Sequence, residues 1–299
     1  MKIGIVGLGK IARRVYLPLY LDNFNFSDIS VYSRNIDKLK ESTKNYNFNL
    51  YDNLNLMLNE IDCLMVHSAT VSHYDYIKLA IERRIPVYVD KPLCDSLSLS
   101  NELLALAKSN DTLVFVGYNR RFAPLYQKLK EINLSINRIH YEKHRKDLTY
   151  NEDYKTAIID DYIHLVDTVN HIIDEELILK DAVMTTSNNL ELKTLYTDFT
   201  SSEKIISSFM ARNSGSDLER VSIEAKNALI TIENMREMKI VSNNITEIIK
   251  VDERKSDSQI RGFENALKTF FNLAKNNQYQ NLSQSDAEEI CDRIINKVR

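Results

Sequence analysis

The 299-residue sequence has few of the residues that mark secreted, metal-stabilised or membrane proteins. Its three cysteines are widely spaced and form no CxxC pair, which argues against a disulfide framework and against a zinc site. No apolar run reaches the roughly 18 residues that a membrane span needs, and basic residues interrupt the amino terminus before a secretory signal could form. We therefore expect a cytoplasmic protein that has no membrane partner and binds no metal.

Neither sign of charge dominates, because 39 Lys and Arg face 42 Asp and Glu, for a net charge of -3. No basic block offers a footprint for a phosphate backbone, so nucleic acid is not expected as a partner. Apolar residues make up 43% and charged residues 27%, which is typical of globular domains. The length fits two domains of ordinary size or one large domain.

Proline and glycine are also scarce, and they are unevenly distributed. All four prolines and four of the six glycines lie before residue 125. The turn chemistry therefore differs between the two parts of the chain, which predicts a boundary near residue 120. We expect one domain over residues 1–120 and a second over residues 121–299.

The first part alternates short β-rich runs with amphipathic stretches at 74–83 and 98–108. This alternation predicts an α/β domain with a doubly wound parallel sheet built from βαβ units. The predicted strands are Lys2–Gly7, Ile29–Tyr32, Cys63–His67, Pro86–Val89 and Leu113–Val116.

The second part opens with an apolar helix, Thr156–Ile173, and closes with two helices, Ser258–Lys275 and Ser285–Val298. Successive strands without intervening helices lie between them, which predicts an α+β domain with an open, mostly antiparallel sheet. These predicted strands are 178–185, 190–199, 205–210, 221–225, 228–232 and 238–242.

A hydrophobic run at the amino terminus leads directly into a GxGxxA turn. Gly7 would permit the tight turn, Gly9 a close approach of the backbone to a pyrophosphate, and Ala12 the packing of helix on strand. The amino terminus of the following helix would face the anion. The pattern predicts a dinucleotide site, and a purely structural glycine turn is the alternative.

The residues after the second predicted strand indicate which dinucleotide is bound. Ser33 and Arg34 stand where a carboxylate would be expected to bind the ribose hydroxyl of NAD. A missing acid together with an arginine favours the 2'-phosphate of NADP. The alternative is a solvated turn, with Asp37 or another group serving NAD.

Five motifs follow one another along the chain: GLGKIA at 7–12, SATVSH at 68–73, DKPL at 90–93, GYNRRF at 117–122 and DDYIH at 160–164. In this combination the sequence resembles the Gfo/Idh/MocA family. Within that family it most resembles the short, virulence-factor-like MviM subgroup, through VHS at 66–68, NRRFAPLY at 119–126, KHR at 143–145 and DDY at 160–162. The resemblance implies a Rossmann domain, a second domain with an open sheet, and NAD(P)-linked oxidation of sugars or polyols. It also implies homo-oligomers, dimers or tetramers, formed through that sheet.

The resemblance assigns roles to particular residues. Lys91 matches the lysine of the family's Glu-Lys-Pro motif, with Asp90 in place of the glutamate, and Asp160 and His164 match its Asp-x-x-x-His pair. The candidate cofactor-binding residues are Gly7, Gly9, Lys10, Ile11, Ser33, Arg34, Lys38, Ser68, Ala69, His73, Asp90, Lys91 and Asn119.

The chemistry of these side chains suits oxidation of an alcohol. Asp160, His164, Asp167 and His171 are spaced to share one helix face, for which a surface ladder of Asp-His pairs is the alternative. His164, with an ordinary imidazole pKa near 6.5, is the candidate general base, and Asp160 could orient it. Lys91 could hydrogen-bond the same substrate oxygen, unless it is an ordinary surface lysine.

Weaker candidates concern the substrate. Strand alternation puts Lys143 and Arg145 on one face, where Arg121 or Arg212 could join them to bind a sugar acid or a phosphate. A solvated strand face is the alternative. Tyr162 is a further candidate for a substrate contact, and His73 is a residue near the nicotinamide or a buried histidine at a helix terminus.

These observations favour an oxidoreductase that prefers NADP to NAD and acts on a small molecule, a sugar, a polyol or a derivative of one. Two alternatives stay open. The first is a non-catalytic nucleotide-binding sensor on the same fold. The second is an NAD-dependent glycosidase that oxidises its substrate transiently with no net redox change.

Overall fold

The computed structural model describes residues 1–132, 134–146, 153–278 and 286–298. Both predicted sheets are present in it, the first parallel and six-stranded, the second mostly antiparallel and eight-stranded. The strands are β1 (Lys2–Val6), β2 (Asp28–Tyr32), β3 (Asn49–Tyr51), β4 (Cys63–Val66), β5 (Val87–Val89), β6 (Val114–Val116), β7 (Ile136–His144), β8 (Ile178–Thr186), β9 (Leu192–Ser201), β10 (Lys204–Ala211), β11 (Leu218–Ala225), β12 (Ala228–Glu233), β13 (Glu237–Ser242) and β14 (Ile245–Lys250).

The α-helices among the described residues are α1 (Leu17–Asp22), α2 (Ile36–Thr43), α3 (Leu54–Leu58), α4 (His73–Glu82), α5 (Leu97–Ser109), α6 (Pro124–Glu131), α7 (Tyr154–Ala157), α8 (Ile163–Ile173), α9 (Asp257–Ile260), α10 (Phe263–Lys275) and α11 (Asp286–Lys297). Two π-helical turns, Ala12–Tyr16 and Ile158–Tyr162, directly precede α1 and α8. Of these described helices, none has the length and apolar character to cross a bilayer.

The chain divides into two compact units. The first comprises Met1–Gly117 and Phe263–Ser285, of which the structure describes residues up to Gln278, and the second comprises Tyr118–Gly262 and Asp286–Arg299. Helix α10, which the sequence analysis grouped with the carboxyl-terminal domain, belongs to the first unit. Its Phe270 ring lies 5.6 Å from the ring of Tyr88 and 5.9 Å from that of Phe115.

The first sheet has the strand order β3-β2-β1-β4-β5-β6, with all neighbours parallel. Its central strands are buried on both faces, as their nearly continuous apolar sequences require. The order reverses between β1 and β4, and ligands of such sheets bind beyond the carboxyl ends of the strands at this point. We therefore expect the loops after β1 and β4 to border the ligand-binding site.

The second sheet has the order β14-β13-β12-β11-β7-β10-β9-β8, in which only β7 and β10 are parallel neighbours. Residues along β7 alternate between a covered and an open face, so that Ile139, Tyr141 and Lys143 are buried. Strand β14 is not among the strands predicted from the sequence. This strand lies at the edge of the sheet, and most of its residues are exposed.

Two predicted helices are interrupted in the structure. The stretch predicted as one helix, Thr156–Ile173, consists of α7, a π-helical turn and α8. The stretch Ser258–Lys275 is interrupted at Gly262, which follows α9 and has a φ of +86°. A Cβ added at this position would lie 2.3 Å from the Asn119 carbonyl oxygen, so the turn requires glycine. Helix α11 begins at Asp286, and the predicted start at Ser285 lies outside the described residues.

Candidate active site

The glycine turn after β1 has a tight structural requirement at its first glycine. Gly7 has a φ of +91°, and a Cβ there would lie 2.5 Å from the Ser68 backbone nitrogen. Ser68 follows β4, the neighbour of β1 across the point where the strand order reverses. A side chain at position 7 would therefore separate the two loops that border this point.

The second glycine of the turn is different, because an added Cβ at Gly9 would meet no atom within 4 Å. The chain becomes helical directly afterwards, and the Arg13 N–H donates to the Gly9 carbonyl at 3.1 Å. Lys10 and Ile11 are exposed. Open space beside a glycine at a helix amino terminus fits the close approach of a dinucleotide pyrophosphate.

Near the turn lies a buried network of polar and aromatic side chains that no motif in the sequence predicts. The Tyr16 hydroxyl donates to Asp90 Oδ1 at 2.5 Å, and its ring stacks on the His67 imidazole with centroids 4.0 Å apart. The Tyr20 hydroxyl lies 2.7 Å from His67 Nε2, and the Tyr16 and Tyr88 hydroxyls are 3.2 Å apart. Burial, followed by the charge of Asp90, raises the pKa of Tyr16 well above its ordinary value.

This network meets the DKPL motif, since Asp90 and Lys91 directly follow β5. His73, the first residue of α4, connects the same loop to the one after β4: its Nδ1 lies 3.1 Å from the Pro92 carbonyl and its Nε2 3.1 Å from the Ser68 carbonyl. Burial, partly opposed by these contacts, lowers the pKa of His73. The histidine therefore positions the loops that carry Ser68 and Lys91.

The segment after β2 presents cations to solvent. The Ser33 N–H donates to the Tyr51 carbonyl, and its Oγ accepts from the Asn35 N–H. The Asn35 side chain caps α2 by accepting from the Lys38 N–H at 2.9 Å. Arg34 and Lys38 are exposed on either side of this cap.

In the second unit, the candidates Asp160 and His164 stand on a π-helical turn and on α8, respectively. Asp160 is exposed, His164 is 8% exposed, and Asp167 one turn further is 1% exposed. Asp167 accepts two hydrogen bonds from the Arg121 guanidinium, at 2.8 and 2.5 Å. Arg121 is therefore engaged in a buried ion pair.

The remaining substrate candidates belong to the second sheet or lie against it. Asp161 contacts both Lys143, on β7, and Arg145, the residue that follows this strand, so the two cations meet at one carboxylate. Lys143 is 1% exposed. Tyr162 is fully buried, with its hydroxyl 2.6 Å from Thr197 Oγ1. The Asn119 amide donates to the Arg261 carbonyl at 2.7 Å.

The candidates thus divide between the units. Lys91 lies in the first unit, with the glycine turn, and Asp160 and His164 lie in the second. Within the described ranges, no group of three His, Cys, Asp or Glu side chains is arranged to hold a metal ion.

Comparison with known proteins identifies the family. Residues 1–118 match the oxidoreductase family with an NAD-binding Rossmann fold, Gfo/Idh/MocA, and residues 124–243 match the YceM-like carboxyl-terminal domain. The YceM protein of Salmonella typhimurium is 30% identical over 276 residues, which cover 92% of this chain and 90% of that protein. The crystal structure of a dehydrogenase, MviM, from Clostridium difficile superposes with a TM-score of 0.94 at 28% identity, covering 100% of this chain and 99% of the other.

A third relative is more distant. Glucose-6-phosphate 3-dehydrogenase of Bacillus subtilis is 23% identical over 208 residues, 64% of this chain and 59% of that enzyme. The class of protein is therefore an NAD(P)-binding oxidoreductase. Two findings define it: both domains match family models, and one relative covers 92% of the chain. The chain belongs to the Gfo/Idh/MocA family and is similar to the MviM dehydrogenase over its whole length and to the YceM protein over 92% of it.

Proposed function

We propose that this oxidoreductase transfers a hydride between a nicotinamide dinucleotide, NADP in preference to NAD, and a sugar, a polyol or a derivative of one. The observation that carries the proposal is the glycine turn after β1, where Gly9 leaves open space at the point where the strand order reverses. The relative named as a glucose-6-phosphate 3-dehydrogenase supports a sugar as substrate.

The dinucleotide supplies the hydride chemistry when it is bound, and the chain binds it, orients the substrate and moves the proton. The preference for NADP is supported by Arg34, which is exposed just beyond the carboxyl end of β2 where an NAD site would carry an acid, and by Lys38, which is exposed in the first turn of α2. The residues assigned to cofactor binding are Gly7, Gly9, Lys10, Ile11, Ser33, Arg34, Lys38, Ser68, Ala69, His73, Asp90, Lys91 and Asn119.

Three side chains are assigned to proton transfer. In the direction of oxidation, an imidazole nitrogen of His164 accepts the proton of the substrate hydroxyl, and in reduction it returns that proton. The Lys91 ammonium donates a hydrogen bond to the same oxygen and stabilises negative charge that develops on it. Asp160, one turn before His164, orients the imidazole.

The proposal includes a cytoplasmic homo-oligomer, a dimer or a tetramer built through the open face of the second sheet. Apolar side chains on that face support it, since Val183, Ile205 and Leu229 are 56%, 58% and 46% exposed. All three cysteines are buried and none forms a disulfide, as a reducing compartment would allow. Light scattering on the purified protein measures the oligomeric mass, and a monomer would contradict this part of the proposal.

The deciding experiment is a titration with NADPH and, separately, with NADH, followed by nicotinamide fluorescence, which is free of tryptophan interference here. We expect saturable binding that is tighter for NADPH. A screen of sugars and polyols with the preferred cofactor then identifies turnover, which Lys91→Ala should abolish while cofactor binding, to which Lys91 is one of many contributors, is largely kept. Lys40→Ala, on the exposed side of α2, is the matched control and should turn over as the wild type does.

The same experiment separates the two alternatives. A nucleotide-binding sensor would bind the cofactor but turn over no substrate. An NAD-dependent glycosidase would release a sugar from a glycoside without changing the absorbance of the nicotinamide. Wild-type turnover by Lys91→Ala would overturn the assigned role of this lysine.

A further inference from the structure

The second unit contains a cavity of about 280 Å³ between the ends of three strands and the segment around α9. Its volume approaches that of small-ligand sites. Charged side chains dominate its lining, which consists of Arg145, Asp217, Leu218, Glu219, Asn234, Met235, Arg236, Asp257, Ile260 and Arg261.

At the exposed rim, opposite charges balance one another. Arg236 forms an ion pair with Asp257, and both side chains are more than half exposed. Asp217 is exposed and accepts a hydrogen bond from the Lys146 backbone N–H at 2.9 Å. The rim therefore offers no excess of positive charge.

Away from the rim, positive charge exceeds negative charge among three lining residues, Arg145, Glu219 and Arg261, taken together with the charged side chains bonded behind them. Glu219 is held by Arg120, which is 1% exposed, through paired hydrogen bonds, one of them 2.8 Å long. The Arg145 guanidinium donates to Asp161 at 3.1 and 3.3 Å, and the same carboxylate also contacts Lys143. Together with Arg261, four cations thus surround two carboxylates.

The pKa values of two of these cations, Arg261 and Lys143, reflect the excess of positive charge. Burial, reinforced by the charges of Arg120 and Arg145, lowers the pKa of Arg261 to about 10. Burial also lowers the pKa of Lys143, to about 7, although Asp161 opposes the change. Cations in such a setting are stabilised when an anion approaches them.

We propose that this cavity binds an anionic substituent of the substrate, a phosphate or a carboxylate, through the guanidinium groups of Arg145 and Arg261. Two guanidinium groups in the lining of one cavity match the oxygens of either anion, since each can donate two hydrogen bonds. The inference rests on the proposed function and deepens it, because it assigns the substrate to the acidic or phosphorylated sugars. Lys143 contacts Asp161 but does not line the cavity, and it acts through its charge.

The test is calorimetric binding at constant ionic strength with three probes: glucose 6-phosphate, gluconate and glucose. We expect saturable binding of one or both anions and much weaker binding of glucose. The comparison of glucose 6-phosphate with gluconate distinguishes a phosphate site from a carboxylate site. Arg261→Met should weaken binding of the preferred anion about tenfold, the loss expected for a charge-assisted hydrogen bond.

Two further variants control for damage to the fold. Arg254→Met removes an arginine whose side chain is 89% exposed and does not line the cavity, and it should bind as the wild type does. Asp217→Asn removes a negative charge from the rim while keeping an acceptor for the Lys146 N–H. It should tighten anion binding about twofold to fivefold, a gain that misfolding does not produce.

Equal affinity for the anion in wild type, Arg261→Met and Asp217→Asn would overturn the inference, as would equal binding of glucose. NADPH binding, measured on the same samples, tests the proposed function independently of anion binding. Cofactor binding without anion binding would sink this inference and leave the proposed function standing. Loss of cofactor binding in folded wild-type protein would instead sink the proposed function.

Discussion

The Tyr16 hydroxyl donates a hydrogen bond to Asp90 Oδ1 across 74 positions of the chain, from the helix after the glycine turn to the residue before Lys91. The contact is covered by the ring of His67, which stacks on Tyr16. It therefore links the segment assigned to the dinucleotide with the segment that carries the candidate catalytic lysine.

Tyr16→Phe should destabilise the protein by about 1–3 kcal/mol, because the Asp90 carboxylate keeps its place but loses a donor. Urea unfolding measures the change. Tyr74→Phe is the matched control, since the Tyr74 hydroxyl donates to Glu102 at the surface, and its unfolding midpoint should equal that of wild type. Equal midpoints for both variants would mean that the buried hydrogen bond contributes nothing.

The two glycines of the turn should respond differently to the same substitution. Gly7→Ala places a Cβ 2.5 Å from the Ser68 nitrogen on a backbone with positive φ, so we expect a loss of at least about 2 kcal/mol in unfolding free energy. Gly9→Ala meets no protein atom and should unfold as wild type does. Its Cβ should instead weaken NADPH binding by about tenfold or more.

Fluorescence titration and urea unfolding of both variants check this contrast. Unchanged NADPH affinity in Gly9→Ala would contradict the assignment of the open space to the pyrophosphate. A stable Gly7→Ala protein would contradict the account of the turn.

The elements that the sequence predicts well are those with a strong local pattern. Strands β1 and β4 are nearly continuous apolar runs with fully buried central residues, and the glycine turn is a contiguous motif. Strand β3 has only three residues, none of them buried, and so gives too short a pattern to recognise. The division of Thr156–Ile173 by a π-helical turn leaves no mark in the hydrophobic period.

The ion pairs of the site could not be predicted, because their partners are distant along the chain. Arg120 and Glu219 are 99 positions apart, and Arg121 and Asp167 are 46 apart. Strand alternation predicts that Lys143 and Arg145 share a face, but only the fold reveals that Asp161 lies against both. Arg261 gave no signal at all, since it stands outside every motif.

Arg34→Ala should reduce the preference for NADPH. The exposed guanidinium at the carboxyl end of β2 is assigned to the 2'-phosphate, a group that NADH lacks. We expect NADPH to bind about tenfold more weakly and NADH to bind unchanged. Arg14→Ala, also exposed, is the control and should leave the ratio of the two affinities as in wild type. An equal loss of both affinities would assign Arg34 to a part that the two dinucleotides share.

His171 should make the protein sensitive to mild acid. Burial, followed by the charges of Lys130 and Arg121, lowers the pKa of this imidazole from 6.5 to about 4. Between these pH values the unfolded chain binds a proton that the folded chain does not, so the free energy of unfolding falls as the pH is lowered from 6.5 to 4. The loss should be on the order of 1–3 kcal/mol.

His171→Gln cannot titrate, and its unfolding free energy should fall less over this interval. Lys130→Met removes one of the two cations and should therefore reduce the acid sensitivity in part. Urea unfolding at pH 4, 5 and 6.5 compares the three proteins, and parallel pH profiles for wild type and His171→Gln would contradict the assignment.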